Sequence, residues 1–219
     1  SSSPTQGDDL HTIAMKHANE AWTAETENFD NARDDQRFYA GEQWLADAKQ
    51  ERTLQNRPVI TINRIPGFVK QVTGDVRKDT PAIKVAPSKD GASEEVAEIY
   101  NGLIRNIENR SNAKAAYVQA VENACITGLG VFRIKTEYEN SGDFDQEIVI
   151  ERIVDPLAVL FDPSAKEPDK SDARYVFYLK AMPKEVFEKT FPDHAVIGMP
   201  TGPNAIQGLV WYSMESVTI

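Results

Sequence analysis

The chain has 219 residues, enough for a sizeable core in one large domain or in a helical half and a β half. It is 41% hydrophobic, carries one cysteine, and has 24 Lys and Arg against 34 Asp and Glu, a net charge of −10. These values argue against a membrane span of roughly 18 or more apolar residues, an internal disulfide framework, and a protein that grips nucleic acid through bulk charge.

The polar start, from Ser1 to Asp9, lacks the basic and apolar regions of a secretory signal. Apolar and alanine positions then keep a helical period through Leu10, Ile13, Ala14, Ala18, Ala21, Trp22, Phe29 and Ala32. They predict a helix over 8–38, capped by Asp8 or Asp9, with an acidic outer face in solvent. Residues 39–44 break the pattern, and a short helix is expected over 45–54. After Asn56-Arg57-Pro58, a third helix is marked by Ile62, Ile65, Val69, Val72 and Val76, with Pro66 tolerable only in its first turn. Ile83-Lys84-Val85 reads as a short strand and 87–91 as a turn. Ser93 caps the clearest helix, with Glu94 and Glu95 in its first turn and a predicted buried face of Val96, Ile99, Tyr100, Leu103, Ile104 and Ile107.

The pivot is 113–138. Tyr117, Val121, Ala124 and Gly128 recur at helical spacing, and Ala116, Ala120 and Cys125 keep that face narrow, which places the thiol in the core. Gly128-Leu-Gly130 ends the helix. The helix is expected to dock on the strand that follows, which sets Phe132, Ile134 and Tyr138 on one face and Arg133, Lys135 and Glu137 on the other. Asn140-Ser141-Gly142-Asp143 makes a hairpin turn to a returning strand over 146–153. A third strand, 158–161, is bracketed by Asp155-Pro156 and Asp162-Pro163. A polar loop leads to 174–180, whose nearly continuous Tyr175–Leu179 predicts a central strand. Pro183 opens a helix to Thr190, 198–208 is a turn-rich linker, and a last strand runs over 209–219. The fold class is α+β: an N-terminal helical region packed on a mainly antiparallel β region. Its segments are 1–55 (N-terminal helices), 56–128 (helical core), 129–197 (antiparallel β) and 198–219 (linker and terminal strand, continuing into further chain).

Candidate chemistry is sparse. Gly128-x-Gly130 follows a helix and precedes a strand, the reverse of a phosphate-cradling turn. Asp162, Glu167, Asp169 and Asp172 offer oxygens for a hard cation but lack calcium-loop spacing, so Asp162, Asp169 and Asp172 are weak metal candidates in what is first a solvated turn. His11, His17 and His194 form no ligand set. Cys125 has no activating base. The pairs Asp34-Asp35 and Glu94-Glu95 diverge on a helix, and Trp22, Trp44 and Trp211 read as core or interface anchors. No catalytic residue and no cofactor emerge. One window stands apart: Arg57, Arg64, Lys70, Arg77, Lys78, Lys84 and Lys89 against Asp75 and Asp79 give a local charge of +5, leaving −15 for the rest. It reads as a solvated face, a subunit contact or a DNA contact, in that order.

Several blocks are similar to the portal proteins of short-tailed, podovirus-type Salmonella phages. Residues 57–77 (RPVITINRIPGFVKQVTGDVR) resemble an early block of that family, continued by Pro81–Val85; Gly41–Trp44 fits upstream, and Asn101–Glu108, Ser111–Ala113, Phe144–Ile153, Phe161–Asp169 and Ser171–Tyr175 follow in register. The resemblance implies the N-terminal wing portion of a homo-oligomeric ring, usually a dodecamer, at a capsid vertex of the virion, assembled in the host cytoplasm with no membrane. It implies double-stranded DNA passing through the channel, terminase and capsid, tail or adaptor proteins as partners, and no catalytic residues. Arg57, Arg64, Lys70, Arg77 and Lys78 become candidates for a subunit interface. Two alternatives stay open: a metal-dependent phosphodiesterase built on the 162–172 acids, and a non-portal virion adaptor or scaffold that binds through the basic helix.

Overall fold

The computed structural model describes residues 6–79, 82–88, 93–138, 144–192 and 216–218. It divides into two compact units, Ser1–Asp30 with Leu157–Ile219, and Asn31–Pro156. Six helices and three two-stranded antiparallel ladders among the described residues make an α+β protein, as expected. The predicted turn at 140–143, the linker at 198–208 and most of the last strand lie outside the described residues, as does most of the 87–91 turn.

In the first unit, helix α1 (Gln6–Ala40, whose last third belongs to the second unit) presents Ala21, Trp22 and Phe29 to the ladder of β3 (Val159–Phe161) and β4 (Val176–Tyr178). Asp8 and Asp9 lie inside α1, not at its start, so neither is its cap. Leu160 pairs with Phe177 across the ladder and is fully buried, with Leu157, Tyr175 and Leu179 around it. The stretch predicted to be a central strand forms only β4, in a two-stranded ladder with Val176 half exposed. Its apolar run is used by packing one side on α1, not by flanking strands. Ala181–Pro183 (β5) pairs with Ser216–Thr218 (β6), and Pro183 precedes α6 (Lys184–Thr190).

In the second unit, α2 (Ala46–Leu54) buries none of its residues. α3 (Ile65–Lys78) starts with Pro66 in its first turn and buries Val69 and Thr73, while Ile62 lies outside it and Val72 is exposed. α4 (Glu94–Arg110) is capped as predicted, the Ser93 hydroxyl accepting from the Glu95 amide at 3.2 Å. Ile83–Val85 is no strand. It runs extended beside α4, and the Asn101 side-chain amide takes a strand's place, accepting from the Val85 N–H (2.7 Å) and donating to its carbonyl (3.0 Å). α5 (Ala113–Thr127) packs on α3 and on the β1–β2 ladder.

The buried positions of α5 are Ala113, Ala116, Val118, Ala120 and Asn123. Cys125 stands two residues, about 200° of helix, from Asn123 and is exposed, which corrects the core placement expected for it. Strands β1 (Phe132–Tyr138) and β2 (Gln146–Arg152) pair with Ile134 opposite Ile150. The helix docks chiefly on the returning strand: Ile150 is buried against Ala113 and Ala116, while Tyr117 meets Phe132 edge-on at 5.2 Å. The opposite face of the ladder is charged, with Lys135 held between Glu137 and Glu151.

Candidate functional site

The acidic loop after β3 is organised by its own hydrogen bonds. Asp162 is buried, and its carboxylate accepts from Arg174 Nε at 2.7 Å, from the Ser164 hydroxyl at 2.7 Å and from the Ser164 N–H at 2.9 Å. Asp172 accepts the N–H groups of Lys166 (2.7 Å) and Glu167 (3.2 Å), and Asp169 accepts the Ser171 hydroxyl (2.8 Å) and N–H (3.1 Å). Each candidate ligand thus closes its own turn by the local bonding that Asp favours. Among the described residues no group of three His, Cys, Asp or Glu could hold a metal.

The electrostatics follow the same geometry. The Arg174 guanidinium, with Ser164 adding its own donors, holds the Asp162 carboxyl well below the usual carboxylate range. The Ser171 hydroxyl lowers Asp169, and the Lys166 N–H lowers Asp172. A groove of about 690 Å³ beside this loop is edged by Lys16, Glu20, Asp162 and Arg174, charges that neutralise one another in pairs. A carboxylate locked as an acceptor is the opposite of a poised general base, so this loop supplies rigidity. Because the folded value of Asp162 is depressed, its contribution to stability is complete above about pH 4, where the unfolded carboxyl is ionised, and is lost as pH falls below that. The variant Asp162→Asn is therefore expected to be less stable than the parent at pH 7, with the gap closing below about pH 4. Denaturant titrations across pH check this; a gap independent of pH contradicts it.

The basic window occupies two places in the second unit. Arg57 follows α2, its N–H donating to the Arg52 carbonyl at 2.8 Å, and Arg64 stands immediately before α3. Lys70, Arg77 and Lys78 are on α3, the last two in its final turn, where cations suit the helix dipole. All five are exposed, and none forms an ion pair among the described residues. Lys70 and Arg77, seven apart, share one side of the helix. Among the described residues no group of His, Cys, Asp or Glu that could hold a metal lies beside them, and they are exposed surface positions.

Two further surfaces were not marked by the sequence as open. The predicted buried face of α4 is open along most of its length, with only Ile104 and Ile107 partly buried. Only Ile107 reaches the cluster of Ala113, Ala116 and Ile150. Val96, Ile99, Tyr100 and Leu103 are 47–66% exposed, whereas the buried residue of α4 is Ala97, on the side that faces residues 84–87 with Glu98, Asn101 and Arg105. The second surface is an arm over 42–64. The Asn63 amide closes its base, donating to the Tyr39 carbonyl (2.7 Å) and accepting from Gln43 Nε2 (3.0 Å) and the Ile65 N–H (3.2 Å). Within the arm, Arg52 lies over the Trp44 ring at 5.0 Å and forks onto the Pro58 carbonyl at 3.0 and 3.2 Å, and Trp44 Nε1 donates to the Ile60 carbonyl. The arm is shaped by polar bonds and has no core: Leu45, Leu54, Ile60 and Ile62 are 66–82% exposed. Its signal in the sequence is apolar Val59-Ile60-Thr61-Ile62 outside any helix.

Gly128 and Gly130 serve structure. Gly128 ends α5 at φ +78°, and Gly130 lets the chain pass directly over the Ala120 carbonyl. His17 lies on the Tyr175 ring at 4.6 Å and Trp22 is in the core; His11 has no described side chain, and His194 and Trp211 are outside the described residues. No helix among the described residues is long and apolar enough to cross a membrane.

Comparison with known proteins finds a family model and curated relatives. The family model described as "Phage P22-like portal protein" matches residues 15–219. A curated "Portal protein" of Acyrthosiphon pisum secondary endosymbiont phage 1 is 28% identical over 187 residues, which cover 82% of this chain and 26% of that protein. The chain thus spans about a quarter of the length of that relative.

Proposed function

This chain belongs to the phage P22-like portal protein family, and from that membership we propose that it is the N-terminal, wing portion of a ring subunit at a capsid vertex. The match over residues 15–219 carries the reading. In it, copies of the subunit, usually twelve, close around an axial channel through which a terminase drives double-stranded DNA and to which tail components later attach. The work is done by shape and self-association. The overall charge of −10 suits such a conduit, because an acidic wall lets phosphates slide where a basic one would bind them. The decisive experiment is negative-stain imaging and native mass measurement of the full-length subunit. A closed ring is expected; a subunit that stays monomeric at assembly concentrations, or that turns over a substrate by itself, ends the proposal.

The exposed cations serve the same assembly. A window of +5 on a chain otherwise at −15 favours contact between the basic helix of one copy and an acidic face of the next. Reversing Arg64, Lys70 and Arg77 to glutamate is expected to raise the subunit concentration for half-assembly at low salt by about tenfold or more. Added salt should weaken the parent toward the variant, since exposed charges are screened within about 10 Å at 0.1 M ionic strength. Sedimentation across a salt series reads both effects; assembly unchanged by either the substitutions or the salt counts against a role for these residues.

A further inference from the structure

We propose that residues 59–61 of one subunit add as an antiparallel strand to residues 84–86 of the next copy, with Ile60 opposite Val85 and Ile62 opposite Ile83. The inference rests on the portal reading and names the backbone that would join its subunits. Residues 59–62 and 83–85 share strand composition, yet neither stretch belongs to a ladder among the described residues. Each is bonded along one edge by side chains of its own subunit. The Pro58 and Ile60 carbonyls accept from Arg52 and Trp44, two side chains that lie on each other, so both carbonyls face one side, as alternate residues of an extended chain do. Asn101 holds the N–H and the carbonyl of Val85 in the same way.

That alternation turns the backbone N–H and carbonyl groups of Val59, Thr61, Lys84 and Ala86 to the opposite edges. None of these groups has a hydrogen bond among the described residues, so the two edges do not pair within one subunit. Between copies, Val59 pairs with Ala86 and Thr61 with Lys84, each pair exchanging two hydrogen bonds. The same register sets Ile60 and Ile62 against Val85 and Ile83 on one face. Ile60, Ile62 and Ile83 are 56–75% exposed, and cross-strand apolar pairs of this kind stabilise a ladder. A slip of one residue sets the open groups of one edge against the bonded groups of the other, which fixes the register. Pro58 and Pro87 then stand opposite each other and end the pairing, as proline does at natural sheet edges. A second copy is the occupant because this chain supplies both halves of the match. Both edges are pre-shaped by Trp44, Arg52 and Asn101, so docking costs little ordering. The two edges differ, which makes the contact heterologous, the kind that generates a ring when the rotation between copies closes.

The test uses the full-length subunit. Thr61→Pro and Ala86→Pro each remove one outward N–H and leave the bonds from Trp44, Arg52 and Asn101 in place, so circular dichroism and melting temperature should stay within a few degrees of the parent. Each is expected to raise the half-assembly concentration by about tenfold or more, because the lost donor leaves a carbonyl of the neighbouring copy buried and unpaired. Thr61→Ala keeps the N–H and should assemble as the parent does. In a Cys125→Ser background, subunits carrying Ile62→Cys and subunits carrying Ile83→Cys, mixed and oxidised, should form a disulfide-linked dimer that neither gives alone, since Cα atoms of such a pair stand about 4.5 Å apart. Rings that form normally from both proline variants overturn the inference and leave the portal reading intact. So does the absence of the mixed disulfide in assembled rings, or a disulfide that closes only within single chains carrying both cysteines. If a proline variant loses its circular dichroism, the disulfide decides alone. A parent that forms no ring removes the portal reading itself, and this contact with it.

Discussion

Substituting Gly130 with alanine is expected to destabilise the second unit by about 3 kcal/mol or more, the upper end of what overpacking costs. A Cβ built at this position overlaps the carbonyl oxygen of Ala120, stands 2.7 Å from its carbon and 3.1 Å from the Ala124 Cβ. The obstacle is backbone in the middle of α5, where the carbonyl belongs to the helical ladder, so no rotamer change relieves it. Gly128, two residues earlier, is the control. It has φ +78°, and a Cβ added there meets nothing within 4 Å, so alanine costs only the left-handed conformation, about 1–2 kcal/mol, and asparagine less. Denaturant titration of the two alanine variants should rank Gly130 well above Gly128; the reverse order contradicts this packing.

Trp22→Ala is expected to lower the stability of the first unit by about 3–5 kcal/mol, the range for emptying an aromatic core position. Trp22 is 6% exposed, lies 5.4 Å from the Phe29 ring and packs with Ala21 and the fully buried Leu160. The ladder beneath it has only three residue pairs, so α1 supplies the surface against which β3 and β4 hold their shape. Trp22→Phe retains most of the apolar surface and should cost clearly less. Near-UV circular dichroism with chemical denaturation measures both; a loss below about 1 kcal/mol for alanine means that the cluster is not what holds this unit.

Local chemistry is what the chain declares in advance. The Ser93 cap, the Gly128 stop, the tolerance of Pro66 in a first turn and the strand β1 that follows α5 each depend on residues within a few positions of one another. The family, too, is legible, from ordered blocks at 57–77, 101–113 and 144–175 that the match over 15–219 bears out. The expectations that fail are those that need to know what lies across from a face. Cys125 reads as core because a run of small residues gives α5 no clear phase, and the phase is set by Ala113 and Ala116 meeting Ile150. Ile83–Val85 has strand composition, but the chain offers it an asparagine in place of a strand. The 162–172 acids read first as a solvated turn, and their spacing does not reveal that Asp162, Asp169 and Asp172 each accept bonds within that loop.

α4 shows the division most plainly. Its periodicity determined a capped amphipathic helix, since capping and the 3.6-residue repeat are properties of neighbouring residues. Which side of it meets the rest of the unit was decided by tertiary structure alone: Asn101 binds the extended chain on the polar side, and the apolar stripe is left open. Hydrophobicity is not directional, so a sequence states that a face must leave water but not which surface removes it.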